Sequence, residues 1–314
     1  MTLTQMRYAV SVEELQNFRL AAERCHVSQS GLSMQIKKLE ELLDVSLFDR
    51  SKKPVLVTLE GRAVIAQLRN VLRETQRLGQ VASEQEEPAG AYRLGVIPTL
   101  SATVLPLFLA EFIEQYPRVE LVIEELKTTD IIARLQADTL DAGVAATPLS
   151  VNGLQEEVLG AETLVAYLPL GDALLRKKSI PQGDLESRQL WVMPEGHCFR
   201  SQVLSYCRSG KPPAPGRVHF ESGSFETLIQ LVDEGLGATV LPALVAQRLT
   251  SKKQSEQVRP LVSPRPVREI GLVTARSDFR RRVSEALVDL IKRKLADKLG
   301  PLPRKPLVLD PLPR

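Results

Sequence analysis

The chain has 314 residues, 43% hydrophobic and 25% charged, with a formal net charge of +3. At roughly 100–200 residues per domain, that length and composition describe about two ordinary globular domains. No apolar run reaches the ~18 residues of a membrane span, the first residues lack a basic-then-apolar leader, and three cysteines cannot staple a chain this long; secreted, membrane-bound and disulfide-scaffold classes are excluded, and a reducing cytoplasm is the expected compartment.

Charge alone does not reveal a nucleic-acid binder. Residues 1–90 carry 12 Lys/Arg and 12 Asp/Glu, residues 91–264 carry 16 and 20, and residues 265–314 carry 13 and 6. Pattern is more informative. Met6, Val10 and Val12 line one helical face, and Phe18–Cys25 is a second short helix broken at His26-Val27. Ser28 then offers a side-chain cap for a third helix. In it Leu32, Ile36, Leu39 and Leu43 recur at steps of 4, 3 and 4, one amphipathic stripe. Two helices joined by so short a turn have helix-turn-helix spacing. Leu47–Thr58 reads as strand, basic loop and strand, a wing, so residues 1–59 form a winged helix-turn-helix domain.

With the apolar stripe buried, the opposite face offers Gln29, Ser30, Ser33, Met34 and Lys37. Polar side chains can read base edges, while Ser28 at the helix start and Arg50, Lys52 and Lys53 in the wing would engage phosphates. An ordinary exposed helix face would look the same. Residues 60–88 read as a linker helix: Val64, Leu68, Val71, Thr75, Leu78 and Ala82 step as a heptad seam suited to dimerisation. Glu86-Glu87-Pro88-Ala89-Gly90 ends it and marks the domain boundary.

From residue 89 to 300 strands and helices alternate. Strands are expected at Tyr92–Ile97, Val119–Glu124, Ala142–Ala145, Leu164–Leu168, Leu190–Met193, Val218–Phe220, Ala238–Leu241 and Ile270–Thr274. Helices are expected at Thr103–Gln115, Asp130–Ala137, Phe225–Glu234 and Arg280–Leu299. This rhythm implies an α/β domain with a largely parallel sheet, divided into two lobes. The tail 301–314, with five prolines, is expected to be extended and mobile.

Within this domain Gly196-His197-Cys198-Phe199-Arg200 is followed by Cys207. Thiolate is the nucleophile toward peroxide and nearby cations favour it; a sulfenic acid then condenses with a second thiol. If 198–207 is helical, nine rises separate the two Cα atoms by about 13.5 Å, whereas a disulfide needs less than about 7 Å. Joining them would require rearrangement, which makes a switch. Two core cysteines would satisfy the same spacing. A zinc site would have only three ligands, two of them adjacent in sequence, and neither a metal nor a cofactor is expected. Cys25 is expected to fill the N-terminal core.

The stretch Ala21–Arg50, with its Ser28-Gln29, Leu32-Ser33, Ile36, Leu39 and Leu47-Phe48-Asp49-Arg50, resembles the N-terminal signature of LysR-type transcriptional regulators, and the resemblance continues through Thr58-Leu59-Glu60-Gly61. It implies a periplasmic-binding-protein-like effector domain, promoter DNA and RNA polymerase as partners, and no enzymatic activity. Gly-His-Cys-Phe-Arg with a cysteine nine positions on is similar to the OxyR, or hydrogen peroxide-sensing, branch of that family. By that resemblance Cys198 is the peroxidatic and Cys207 the resolving cysteine. Thr99, Thr128 (or its neighbour Thr129) and His219 would hold peroxide, with His197 and Arg200 tuning the site. The resemblance further implies a homotetramer built from homodimers, activation of oxidative-stress genes, and resetting by a thioredoxin- or glutaredoxin-type reductant. A regulator binding a small metabolite between the lobes, its cysteines incidental, is the nearest alternative; a thiol peroxidase would leave the helix-turn-helix unexplained.

Overall fold

The computed structural model describes residues 1–82, 87–185, 188–207, 223–275, 281–302 and 305–312, leaving out the side chains of 73, 74 and 76–82. It divides into two compact units, Met1–Glu86 and Glu87–Arg314. None of its helices, among the described residues, is long and apolar enough to cross a membrane.

In the first unit, α1 (Leu3–Leu15) starts in a capping box between Thr2 and Gln5. Asn17 caps α2 (Phe18–Arg24), and Ser28 caps α3 (Gln29–Leu43), accepting the Gly31 N–H at 3.1 Å. The apolar stripe of α3 does what its spacing implies: Leu32, Ile36 and Leu39 are buried against Met6, Ala9, Val12, Ala21 and Phe48. Cys25 packs at the edge of this core. The wing is the antiparallel pair β1 (Phe48–Asp49) and β2 (Leu56–Val57).

Next, α4 (Leu59–Ala82) is the linker helix. Its seam needs one correction. Leu68 is buried in the core of its own unit, with Ile65 beside it and Val64 and Val71 packed on the rim. The N-terminal half of the stripe therefore completes the winged domain instead of waiting for another chain. The side chains of Leu78 and Ala82, at the far end of the seam, lie outside the described residues.

The second unit begins β3 (Gly90–Val96), α5 (Pro98–Gln115), β4 (Val119–Glu125), α6 (Thr128–Gln136), β5 (Ala142–Thr147). These βα units place β4, β3 and β5 side by side and parallel. Then β6 (Leu154–Tyr167) is nearly three times the expected length and pairs antiparallel with β9, β10 and β11. Two short strands follow, β7 (Ile180–Pro181) and β8 (Leu190–Trp191), then α7 (Cys198–Cys207), α8 (Phe225–Asp233), β9 (Ala238–Pro242), α9 (Ala243–Ala246) and α10 (Ser251–Gln257). The chain closes with β10 (Val258–Val262), β11 (Arg265–Ala275), α11 (Arg281–Lys298) and β12 (Pro306–Val308).

Two apolar cores define two lobes. One gathers β3, α5, β5 and α11 around Val96, Phe108, Val144 and Leu287; the other gathers Tyr167, Trp191, Phe199, Val203, Cys207 and Val240. Strands β6 and β11 pass between them as an antiparallel pair, with β5 on one flank and β9 and β10 on the other. The expectation of a largely parallel sheet is thus corrected to a mixed one. Each lobe keeps parallel neighbours, but a chain that crosses to a second lobe and returns brings its crossing strands in opposite directions. The expected strand at Val218–Phe220 lies outside the described residues.

The tail is also corrected. Pro306–Val308 pairs in parallel with Arg265–Val267, and Leu309 is 3% exposed in the second core. Prolines at its ends suit an edge strand, which needs few donors.

Candidate functional site

On α3, Gln29, Ser30, Met34 and Lys37 are exposed and Ser33 is half-buried, so the predicted face is open as a face. Met34, an apolar side chain on this face, is 52% exposed. Lys52 and Lys53 project from the wing. Arg50 is held in place: its guanidinium donates to Ser33 Oγ at 3.0 Å and to Glu40 at 2.8 Å, and stacks 5.1 Å above the Phe18 ring. That brace ties the wing to α3, so the two basic-polar surfaces move as one body.

In the second unit, Gly196 adopts φ 87°, a conformation that favours glycine, in the turn that opens α7. A Cβ there would meet Lys127 Nζ at 3.2 Å. Cys198 follows as the first residue of α7, where helix N–H groups point at the side chain. The thiol is buried, 7% exposed, among side chains of the first lobe, while the next residue, Phe199, belongs to the second core. Cys198 therefore sits where the lobes meet.

Three other buried polar groups converge there. Thr99 is near the start of α5 and Thr128 opens α6, whereas Thr129 is exposed. The Thr128 hydroxyl acts on the Cys198 thiol but, among the described residues, makes no hydrogen bond of good geometry. The third group, Arg268 on β11, was not anticipated. It is fully buried, donates to Thr99 Oγ1 at 2.9 Å and to Glu162 on β6 at 2.6 Å, and stacks 5.3 Å from the Phe199 ring. The other carboxylate oxygen of Glu162 accepts the Leu244 N–H at 2.9 Å. The adjacent charges Arg268 and Glu269 between Val267 and Ile270 were the available signal, but such a pair reads as a solvent-facing position.

The electrostatics differ from the sequence expectation of an activated thiolate. Burial pushes the Cys198 thiol up; Thr128, the Arg268 guanidinium and the N–H groups of Phe199 and Cys198 itself pull the other way without prevailing. Desolvation is the larger effect because the sulfur is enclosed among apolar side chains of the first core, where the charged form is disfavoured. The cation acting on Cys198 is therefore Arg268 and not Arg200, whose guanidinium turns back to the Met193 carbonyl at 3.1 Å. His197 is half-buried at the mouth of the turn; burial and then Lys127 lower its pKa, with Glu125 opposing. His219 lies outside the described residues.

Cys207 ends α7 and is fully buried in the second core, and all three cysteines are thiols. Since Cys198–Cys207 is one continuous helix, its ends are about 13.5 Å apart. The site sets a buried sulfur near two hydroxyls and one guanidinium. It cannot join its two thiols without unwinding the helix between them.

Residues 3–62 match the bacterial regulatory helix-turn-helix protein of the lysR family, and residues 85–296 match the LysR substrate binding domain. The DNA-binding transcriptional dual regulator OxyR of Escherichia coli K12 is 32% identical over 296 residues, covering 94% of this chain and 96% of its own. The hydrogen peroxide-inducible genes activator of Haemophilus influenzae is 31% identical, covering 93% and 98%. Among solved structures, a full-length OxyR from Pseudomonas aeruginosa with a cysteine-to-aspartate substitution superimposes with a TM-score of 0.76 at 33% identity, over 93% of this chain and 98% of that one. A Corynebacterium glutamicum OxyR cysteine-to-serine mutant, bound to hydrogen peroxide, gives 0.60 at 26%, over 95% and 94%.

Proposed function

Because this chain belongs to the LysR family of bacterial regulators, we propose that it is a cytoplasmic DNA-binding activator of oxidative-stress genes, switched by hydrogen peroxide through a reversible Cys198–Cys207 disulfide. The observation that carries the reading is the closed surround of Cys198: Thr99, Thr128, Glu162 and Arg268 are each less than 5% exposed. So closed a surround favours a ligand of very few atoms; a metabolite lodged there would displace the Arg268–Glu162 pair. Relatives named for peroxide induction support the same signal.

In this mechanism Cys198 loses its proton and its sulfur attacks one peroxide oxygen. The O–O bond breaks, the departing hydroxide takes up the proton as water, and Cys198 carries a sulfenic acid. Thr99 and Thr128 orient the peroxide, and Arg268 stabilises the charge that develops on the departing oxygen. By the family resemblance His219 would help hold the peroxide, and His197 would tune the site. When α7 opens, the Cys207 sulfur displaces the hydroxyl of the sulfenic acid, an S–S bond forms and a second water leaves. Two thiols thus supply the two electrons that reduce one peroxide to two waters. A thioredoxin- or glutaredoxin-type dithiol returns the electrons, so peroxide is a signal and not a substrate turned over.

The opening of α7 would change how regulatory domains pack within a dimer or tetramer and re-space the winged domains. There Gln29, Ser30, Ser33, Met34 and Lys37 face the major groove, Ser28, Arg50, Lys52 and Lys53 contact phosphates, and RNA polymerase reads the altered promoter complex. A brief stoichiometric peroxide pulse followed by non-reducing mass spectrometry tests this. A rapid Cys198–Cys207 linkage, absent from Cys198→Ser, is expected. No linkage, with peroxide leaving the DNA footprint unchanged, would return the reading to a metabolite-binding regulator.

A further inference from the structure

The helix that must open is held from three sides. At its C-terminal end Gln182 donates to the Tyr206 carbonyl, and the Tyr206 hydroxyl donates to the carbonyls of Val262 and Pro264 at 3.3 and 3.2 Å. Those contacts come from elements built into the second lobe. The third comes from the tail. Gln202, fully buried and one turn beyond Cys198 on the same helix face, donates its amide to the Leu309 carbonyl at 2.9 Å.

Leu309 is positioned for this by β12, whose pairing with β11 continues as Leu309 N–H to the Val267 carbonyl at 3.0 Å. Its side chain enters the second core with Phe199, Val203 and Cys207, while Leu312 packs against the first core. One short segment thus binds both lobes and the middle of α7. Val267 is also the residue before Arg268, so the strand that aligns the tail carries the cation at the thiol.

We propose that residues 305–312 are a latch on α7: docked, they hold the helix closed and slow the approach of Cys207 to Cys198, and their release is the step that sets how fast the disulfide follows the sulfenic acid. This rests on the redox reading above, yet the hold on the helix can be measured without peroxide. Of the three anchors the tail is the one that can leave without dismantling a lobe. Its strand lies on top of a ladder that is already complete between β11 and β6, and its outward residues Leu307 and Val308 are 36% and 42% exposed. A terminal edge segment of this length can open locally at a cost below that of global unfolding.

The test is hydrogen–deuterium exchange on the reduced full chain, on Leu309→Ala and on a chain ending after Gly300. Amides of 200–207 are expected to exchange faster by about fivefold or more in Leu309→Ala, as loss of a buried anchor implies, and faster again without the tail, with α1–α3 unchanged. Leu309→Ala keeps the test decisive if the shortened chain does not fold. Equal exchange in wild type and Leu309→Ala would overturn the latch whatever the thiols do. In a peroxide pulse, sulfenic acid is expected to form at the same rate in all, and the disulfide about fivefold faster in the variant. Faster exchange with an unchanged disulfide rate would overturn release as the limiting step. Faster exchange with no disulfide in any chain would uphold the hold on α7 and remove the redox reading beneath it.

Discussion

The two helices on which the molecule's function turns are built on opposite plans. In α3, three of fifteen residues are buried, all on one stripe, and a local cap starts the helix. In α7, six of ten residues are buried, on more than one face, and its middle and C-terminal end are fixed by side chains and carbonyls from distant parts of the chain. A helix of ten residues has little stability of its own. Helix α3 is thus helical by local instruction and carries its information on an open face; α7 is helical because its surroundings hold it so. The first suits a reader that must not change shape, the second a part that must.

The largest expected effect tests whether the surroundings of α7 are high-stakes. Arg268→Leu strands the Glu162 carboxylate in the core and should cost about 3–5 kcal/mol in urea denaturation, most of it recovered when Glu162→Leu is added. A single-variant cost under about 1 kcal/mol would break the contrast. For α3, Ser28→Ala should cost about 1 kcal/mol, confined to the N-terminal unit, because only a cap is lost. A larger or global loss would mean α3 is held from afar as α7 is.

Smaller effects sharpen the picture. Replacing Lys52 and Lys53 by alanine should lower the salt slope of DNA binding by about 2 while leaving stability within about 0.5 kcal/mol; the read-out is affinity at several salt concentrations. The least is a pH effect at His197. Its folded pKa is lowered, so as pH falls through the ordinary value of 6.5 the unfolded chain takes up the proton first and stability declines. His197→Asn should flatten that part of a stability–pH curve, and a curve identical to wild type would rule the histidine out as its source.

Much of this was legible because the signals are local. The cap at Ser28, the stripe of α3 and the βα rhythm of the first lobe follow from neighbours within a few residues. So does Cys198 at the start of a helix, since Gly196 and Pro194 precede it. What the sequence conceals is pairing at long range. Arg268 meets Glu162 and Thr99 across 106 and 169 positions. The tail's prolines speak against a central strand, and only the free edge beside Val267 gives them one. The thiol's raised pKa was missed for the same reason, since the residues that bury it come from distant parts of the chain.

The Arg268–Glu162 pair has a consequence for folding fidelity. The two residues face each other directly across the antiparallel ladder of β6 and β11, just before its irregularity at Ile270/Gly271. Side chains alternate faces along a strand, so a slip of one residue would turn one member away from the other and leave both charges buried and alone. The crossing between the lobes therefore admits one alignment. Misaligned chains are rejected at that rung, whatever the fit of the apolar residues on either side.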